Sequence, residues 1–151
     1  MLNPGDKAPY FELHDQDGNL VKLTDFEGKN LVLYFYPKDD TSGCTKEACS
    51  FRDELPSFEG INAAIVGVSP DSVKSHKKFV DKYSLNFTLL SDESKSMLEA
   101  YGVWKEKSMY GKKYMGVERT TYIIDPSGTI KTVFNKVKVE GHTEEVKKAL
   151  S

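Results

Sequence analysis

Leu31-Val32-Leu33-Tyr34-Phe35-Tyr36 runs without a break into Pro37-Lys38-Asp39-Asp40-Thr41-Ser42-Gly43-Cys44-Thr45-Lys46-Glu47-Ala48-Cys49. The apolar run reads as a buried strand. The Pro/Asp/Thr/Ser/Gly stretch is turn and cap chemistry, and helix-forming residues follow from about Cys44. A second apolar run, Ala63 to Val68, lies beyond that helix. Strand, helix and strand in that order make a βαβ crossover, which requires parallel pairing and a right-handed connection.

Working outward, Phe11-Glu12-Leu13 and Leu20-Val21-Lys22-Leu23 flank Asp17-Gly18-Asn19, the signature of an N-terminal β-hairpin. Ser69 to Ser84 reads as a second helix opened by Ser69-Pro70-Asp71, with Val73, Phe79, Val80 and Tyr83 as its apolar positions. Phe87 to Leu90 is a short strand, and Ser94 to Tyr101 a short helix stopped by Gly102. Gly102, Gly111 and Gly116 punctuate a long stretch read as irregular. Arg119 to Asp125 and Ile130 to Asn135 are antiparallel strands joined at Asp125-Pro126-Ser127-Gly128, and Thr143 to Leu150 closes the chain as a helix. The expected fold is α/β: a mixed central sheet with helices on both faces, in one domain spanning residues 1–151. No repeat, low-complexity tract or linker divides it.

The chain's only two cysteines, Cys44 and Cys49, carry its chemistry. At a helix start, unpaired backbone N–H groups and the positive end of the helix dipole converge, and such a site favours thiolate over thiol. Cys44 is therefore a candidate nucleophile. On an ideal helix, residues five apart lie about 140° around the axis, with Cα atoms about 8.7 Å apart, beyond the roughly 7 Å that a disulfide spans. Pairing Cys44 with Cys49 would require the intervening turn to unwind. Thr41, three residues earlier, offers a hydroxyl that can accept from the thiol region and donate to a peroxide oxygen, and it is at least a helix cap. The N–H groups of Gly43 and Cys44 supply further donors, and Pro37 fixes the turn and shields the sulfur.

These residues resemble the peroxiredoxins. Pro37, Thr41 and Cys44 reproduce the PxxxTxxC motif, which Glu47 extends to PxxxTxxCxxE. Tyr34 to Thr41, Gly43 to Cys49, Ser75-His76-Lys77-Lys78-Phe79, Leu89-Leu90-Ser91-Asp92, Gly102-Val103-Trp104 and Tyr114 to Tyr122 are similar to the bacterioferritin-comigratory (peroxiredoxin Q) branch, from Gly5 to the last helix. Ser42 stands where many relatives carry a second proline, so a less rigid loop is expected. The resemblance implies a thioredoxin-like fold and a thiol peroxidase of the atypical two-cysteine kind. It implies Cys44 as the peroxidatic cysteine, Arg119 beside its sulfur, Glu47 orienting Arg119, and Cys49 resolving a Cys44 sulfenate as an intramolecular disulfide. It further implies hydrogen peroxide and small organic hydroperoxides as substrates, thioredoxin as reductant, no cofactor, and a monomer or weak homodimer.

Each residue also has an ordinary reading. Cys49 could be a core helix residue in a one-cysteine cycle, Glu47 the exposed partner of a lysine, and Arg119 a solvated strand residue. Trp104, Tyr101, Tyr110 and Tyr114 read first as core packing, and Lys105, Lys107, Lys112 and Lys113 as a solvated loop. His14, His76 and His142 are scattered, the first and last in loops, and offer no zinc-ligand spacing. With 151 residues, a net charge of −2 and no dense basic run, nucleic acid is not an expected partner. There is no secretory or membrane-spanning apolar run, so a cytoplasmic protein is expected, where closely spaced cysteines are redox-active. Two rival functions share the cysteines: a sensor whose Cys44–Cys49 bond reports peroxide to a partner, and a general disulfide oxidoreductase. The second is disfavoured by the spacing and by the lack of a Pro before the Arg119 strand.

Overall fold

The computed structural model describes residues 2–151. Its elements, in order, are strands β1 (Glu12–Asp15), β2 (Leu20–Lys22) and β3 (Asn30–Phe35), helix α1 (Ser42–Glu59), strand β4 (Ala63–Ser69) and helix α2 (Val73–Tyr83). Strand β5 (Thr88–Ser91), helix α3 (Ser96–Ala100), strands β6 (Trp104–Met109), β7 (Lys112–Val117), β8 (Thr120–Ile124) and β9 (Ile130–Phe134), and helix α4 (His142–Leu150) complete the chain. Seven strands form one sheet in the order β2-β1-β5-β4-β3-β8-β9. β3, β4 and β5 are parallel, as the crossover demanded, while β1 and β2 on one side and β8 and β9 on the other run antiparallel.

Strand periodicity divides the core between the two faces. From β3, Leu31, Leu33 and Phe35 join Val66, Val68, Leu98, Tyr101, Tyr122 and Ile124 on one face, covered by α3. Val32, Tyr34 and Tyr36 join Phe51, Phe58, Phe79, Leu89, Ile123 and Val146 on the other, covered by α1, α2 and α4. Helices do lie on both faces, but three to one. Gly67 of β4 is a close-approach glycine: a Cβ there would come within 2.8 Å of Leu89 Cδ2 and of Tyr34 Cζ. Tyr34 occupies that space and stacks on Phe51 of α1, ring centroids 4.8 Å apart, which seats the cysteine helix on the sheet.

Several expected boundaries shift for physical reasons. Ser69 ends β4 instead of opening a helix. Its hydroxyl donates to Asp71, and α2 starts after Ser72, whose side chain accepts from the Ser75 N–H at 3.1 Å. Arg119 lies just outside β8, between it and β7. The stretch read as irregular is a separate two-stranded hairpin, β6–β7, turned at Tyr110 and Gly111, both at positive φ (52° and 78°). Positive φ at both central residues marks a two-residue hairpin turn. The hairpin escaped detection because neither of its faces is a core face, so no apolar alternation signals it. Of the aromatics read as core there, only Tyr101 is buried, while Tyr110 is 98% exposed. His14 lies in β1 and His142 opens α4, neither in a loop.

Candidate active site

Cys44 occupies the first turn of α1, just beyond the carboxyl end of β3, where open α/β sheets gather their ligand sites. Thr41 is the helix N-cap through its backbone, its carbonyl accepting from the Thr45 N–H at 2.8 Å. Its side chain makes no capping bond. The hydroxyl instead donates to the Lys38 carbonyl at 2.9 Å, which commits its proton and leaves its oxygen to accept. Thr41 is thus a helix cap as expected, though through its backbone, and of the two roles expected of its hydroxyl the acceptor role stays open while the donor role is corrected. The N–H groups of Gly43 and Cys44 belong to the first turn, where the helix itself supplies no acceptor.

Arg119 comes to the sulfur from the far side of the sequence. Its Nη2 donates to Cys44 Sγ at 3.2 Å and its Nη1 to Glu47 Oε1 at 2.6 Å. A Cβ on Gly43 would sit 3.3 Å from Arg119 Nη2, so the glycine leaves the guanidinium room to approach. Cys44 is 2% exposed and Glu47 1%. Glu47 is thus neither solvated nor paired with a lysine. Burial pushes its carboxyl up to about 7 against the pull of Arg119, and its Oε2 has no hydrogen-bond partner among the described residues. Burial also works against the Arg119 charge, but the Glu47 carboxylate and the Cys44 sulfur outweigh it and hold its pKa above the ordinary value. One guanidinium therefore serves both a sulfur and a carboxyl group in a buried site.

Cys49 is half-buried in the same helix, and both sulfurs are free thiols. Downstream, Phe51 is fully buried and α4 docks on α1: Ser50 Oγ lies 2.5 Å from Thr143 Oγ1, and Lys147 reaches Glu54 at 2.9 Å. Pro37 is half-buried in the bend after β3.

Sequence reading missed two groups beside this site. Lys107, taken as a loop lysine, sits on β6 opposite Tyr114, with its stem over Gly116, where a Cβ would come 3.3 Å from Lys107 Cδ. Burial, and then the positive Arg119, lower its pKa. The other group is Asp39, Asp71 and His76, the only set among the described residues with metal-ligand chemistry. Both Asp39 oxygens, both His76 ring nitrogens and Asp71 Oδ2 have hydrogen-bond partners. Asp39 and His76 lie in segments that carry the resemblance, but no local pattern joins them to Asp71 or brings Lys107 to the site, because the members of each group meet only by folding.

Comparison with known proteins agrees with the geometry. The AhpC/TSA family model matches residues 4–133. The chain is 51% identical over 146 residues to the Bacillus subtilis protein peroxiredoxin Bcp, covering 97% of this chain and 93% of that one. It is 45% identical over 145 residues to Escherichia coli peroxiredoxin Bcp, covering 96% and 93%. The chain belongs to the peroxiredoxins of the AhpC/TSA family. Among solved structures, a cysteine-to-serine variant of Xylella fastidiosa PrxQ superposes with a TM-score of 0.95 at 42% identity, covering 99% of this chain and 96% of that one. The Xanthomonas campestris bacterioferritin comigratory protein, studied for alkyl peroxide reduction, superposes at 0.92 and 41% identity, covering 98% and 97%. The thioredoxin-like fold of this peroxiredoxin follows, and with it thiol-dependent peroxidase function. Among the described residues no helix is long and apolar enough to cross a membrane.

Proposed function

We propose that this peroxiredoxin reduces hydrogen peroxide and small organic hydroperoxides at Cys44, with Cys49 as resolving thiol and thioredoxin as reductant, in the cytoplasm, as a monomer or weak homodimer. The observation that carries the reading is the Arg119 guanidinium, 3.2 Å from Cys44 Sγ at a helix N-terminus. A donor placed there holds negative charge on sulfur and is positioned for the charge that develops on a departing oxygen.

In the first step the Cys44 thiolate attacks the hydroxyl oxygen of the hydroperoxide. The S–O bond forms as the O–O bond breaks, leaving Cys44 as a sulfenic acid and releasing an alkoxide or hydroxide that takes a proton from water. Arg119 and the Gly43 and Cys44 N–H groups stabilise that charge. Thr41 Oγ1, with its own proton on Lys38, accepts the hydrogen of the hydroperoxide and so orients it for in-line attack. Pro37 walls the site, and Glu47 holds the plane of Arg119. In the second step the Cys49 sulfur displaces water from the Cys44 sulfenic acid, forming the disulfide. The helical separation of the two residues requires the turns between them to unwind first. A dithiol then reduces the bond by exchange, returning both thiols and becoming a disulfide itself.

The test is NADPH-coupled peroxide reduction with thioredoxin and thioredoxin reductase, comparing wild type with Cys44→Ser and Cys49→Ser. Loss of turnover in the first and a strong reduction in the second are expected. Wild type that forms the Cys44–Cys49 bond by mass spectrometry but does not turn over would instead be a peroxide sensor.

A further inference from the structure

The segment between β3 and Cys44 is held by contacts that the peroxidase reading does not use. Asp39 is buried, and its Oδ1 accepts from Tyr36 Oη at 2.6 Å. Its Oδ2 accepts from Ser75 Oγ at 2.8 Å and lies 2.7 Å from His76 Nδ1. The other ring nitrogen of His76, Nε2, lies 2.9 Å from the Leu90 carbonyl oxygen and so carries a proton. The Asp39 N–H donates to Asp71 Oδ2 at 2.8 Å, and that oxygen also takes Ser69 Oγ at 2.7 Å. His76 is 0% exposed. One loop residue is thereby tied to the ends of β3 and β4, to the first turn of α2 and, through His76, to β5. The same contacts occupy both carboxylate oxygens of Asp39 and both ring nitrogens of His76. Asp40, at a positive φ of 55°, is fastened to the other end of α2 by Lys82 Nζ and Tyr83 Oη, each at 2.7 Å.

The residues between this loop and Ser50 are held differently. Among the described residues, the side-chain hydrogen bonds from Ser42 to Cys49 that reach another element are the two that Arg119 makes to Cys44 and Glu47. From Ser50 onward the helix is again anchored, through Thr143, Phe51 and Lys147. A stretch bearing both cysteines, packed on the sheet through Cys44 and Ala48 but hydrogen-bonded to other elements through Arg119 alone, thus lies between two hydrogen-bonded ends.

We infer that Asp39 and His76 are positioning residues: a buried clasp that holds the Pro37–Thr41 loop on α2, sets Cys44 and Thr41 for attack, and stays closed when the helix unwinds, so that unwinding begins beyond Thr41. The second half of this inference rests on the proposed Cys44–Cys49 resolution; the first half does not. Opening the clasp releases the loop and displaces the reacting groups. A misplacement of about 1 Å costs on the order of 100-fold in rate. The resolving step already requires disorder around Cys44 and gains nothing from a closed clasp.

The experiment follows reduced protein mixed with peroxide, quenched at intervals by thiol alkylation and read by mass spectrometry. It gives separate rates for sulfenate formation and for the disulfide. His76→Phe, which keeps a ring and removes both bonds, and Asp39→Asn, which keeps the shape and removes the charge, are compared with Leu98→Ala. Leu98 is buried on the opposite face of the sheet and controls for general destabilisation. Sulfenate formation is expected to fall roughly 10- to 100-fold in His76→Phe and less in Asp39→Asn. Disulfide formation should be unchanged or faster, and Leu98→Ala should lower Tm without moving either rate. Unchanged sulfenate formation in both clasp variants, or an equal fall in Leu98→Ala, would overturn the inference. Should His76→Phe not fold, Asp39→Asn carries the comparison.

A second measurement needs no variant. In oxidised wild type the Asp39 amide should stay protected from hydrogen exchange while amides from Cys44 to Cys49 lose protection. Equal loss at Asp39 would show that the clasp opens with the helix. Failure of wild type to form the disulfide at all would remove the Cys49 reading but leave the sulfenate comparison intact.

Discussion

Arg119 and Glu47, 72 residues apart in sequence, meet at 2.6 Å between Nη1 and Oε1, and the other guanidinium nitrogen of the same arginine lies on Cys44 Sγ. The planar fork lets one residue be oriented by a buried carboxylate while it presents a donor to sulfur.

Arg119→Lys keeps a positive charge but cannot reproduce that fork. An ammonium drawn to Glu47 leaves Cys44, and one drawn to Cys44 leaves a buried carboxylate unpaired. Loss of one charge-assisted hydrogen bond, about 1.5–3 kcal/mol, corresponds to a fall of roughly 10- to 100-fold in the rate of sulfenate formation. Stopped-flow oxidation at varied peroxide concentration would show it.

Glu47 gives the folded protein a pH dependence whose sign is set by its raised pKa. Between its ordinary value of 4.5 and about 7, the folded state holds a proton that the unfolded state has released. Stability contributed by this group is therefore full below about pH 4.5 and is lost as pH rises through 7, by about 3 kcal/mol at most. Glu47→Gln should flatten that part of the profile, as followed by urea midpoints from pH 4.5 to 7.5. An unaltered slope would place the titration elsewhere.

Gly67→Ala should destabilise the sheet beneath the site. A Cβ 2.8 Å from Leu89 and from Tyr34 cannot be accommodated without moving Tyr34, and Tyr34 stacks on Phe51 of the cysteine helix. Overpacking of this kind costs about 1–3 kcal/mol, or a Tm lower by roughly 2–12 °C for a chain of this size. Calorimetry would read it directly.

Lys107→Glu replaces a half-buried cation in the field of Arg119 and Cys44 with an anion. Repulsion of the thiolate should slow sulfenate formation roughly fivefold, on the order of 1 kcal/mol. The deficit should shrink as ionic strength rises. Activity measured between low and high salt separates this effect from a loss of structure.

Legibility followed the range of the forces involved. β3, β4 and the helix between them were readable because buried strands and helix starts are written in local patterns: the apolar run Leu31 to Tyr36, the turn residues after Pro37, and the Asp17-Gly18-Asn19 hairpin. Cys44 was readable for the same reason, since a helix N-terminus is a local feature. The β6–β7 hairpin was not, because its strands bury no continuous face and its turn uses a tyrosine at positive φ. Arg119 was named by resemblance alone; by local pattern it was a solvated strand residue. Thr41 was read as both acceptor and donor and keeps only the first role, because the Lys38 carbonyl that takes its proton is positioned by the bend of the backbone.

The α/β order, the crossover, and a nucleophile at a helix start with a second thiol too far along the helix to reach it are all written in local pattern. Tertiary structure alone decided which charges surround that nucleophile. Arg119 over Gly43, Glu47 buried beneath it, Lys107 across Gly116, and Asp39 clasped to His76 are all contacts between residues distant in the chain. Backbone propensities act over a few residues and leave a pattern that can be read. Electrostatic and hydrogen-bond partners are chosen by which surfaces the packed sheet brings within a few ångströms, and no local pattern records that choice.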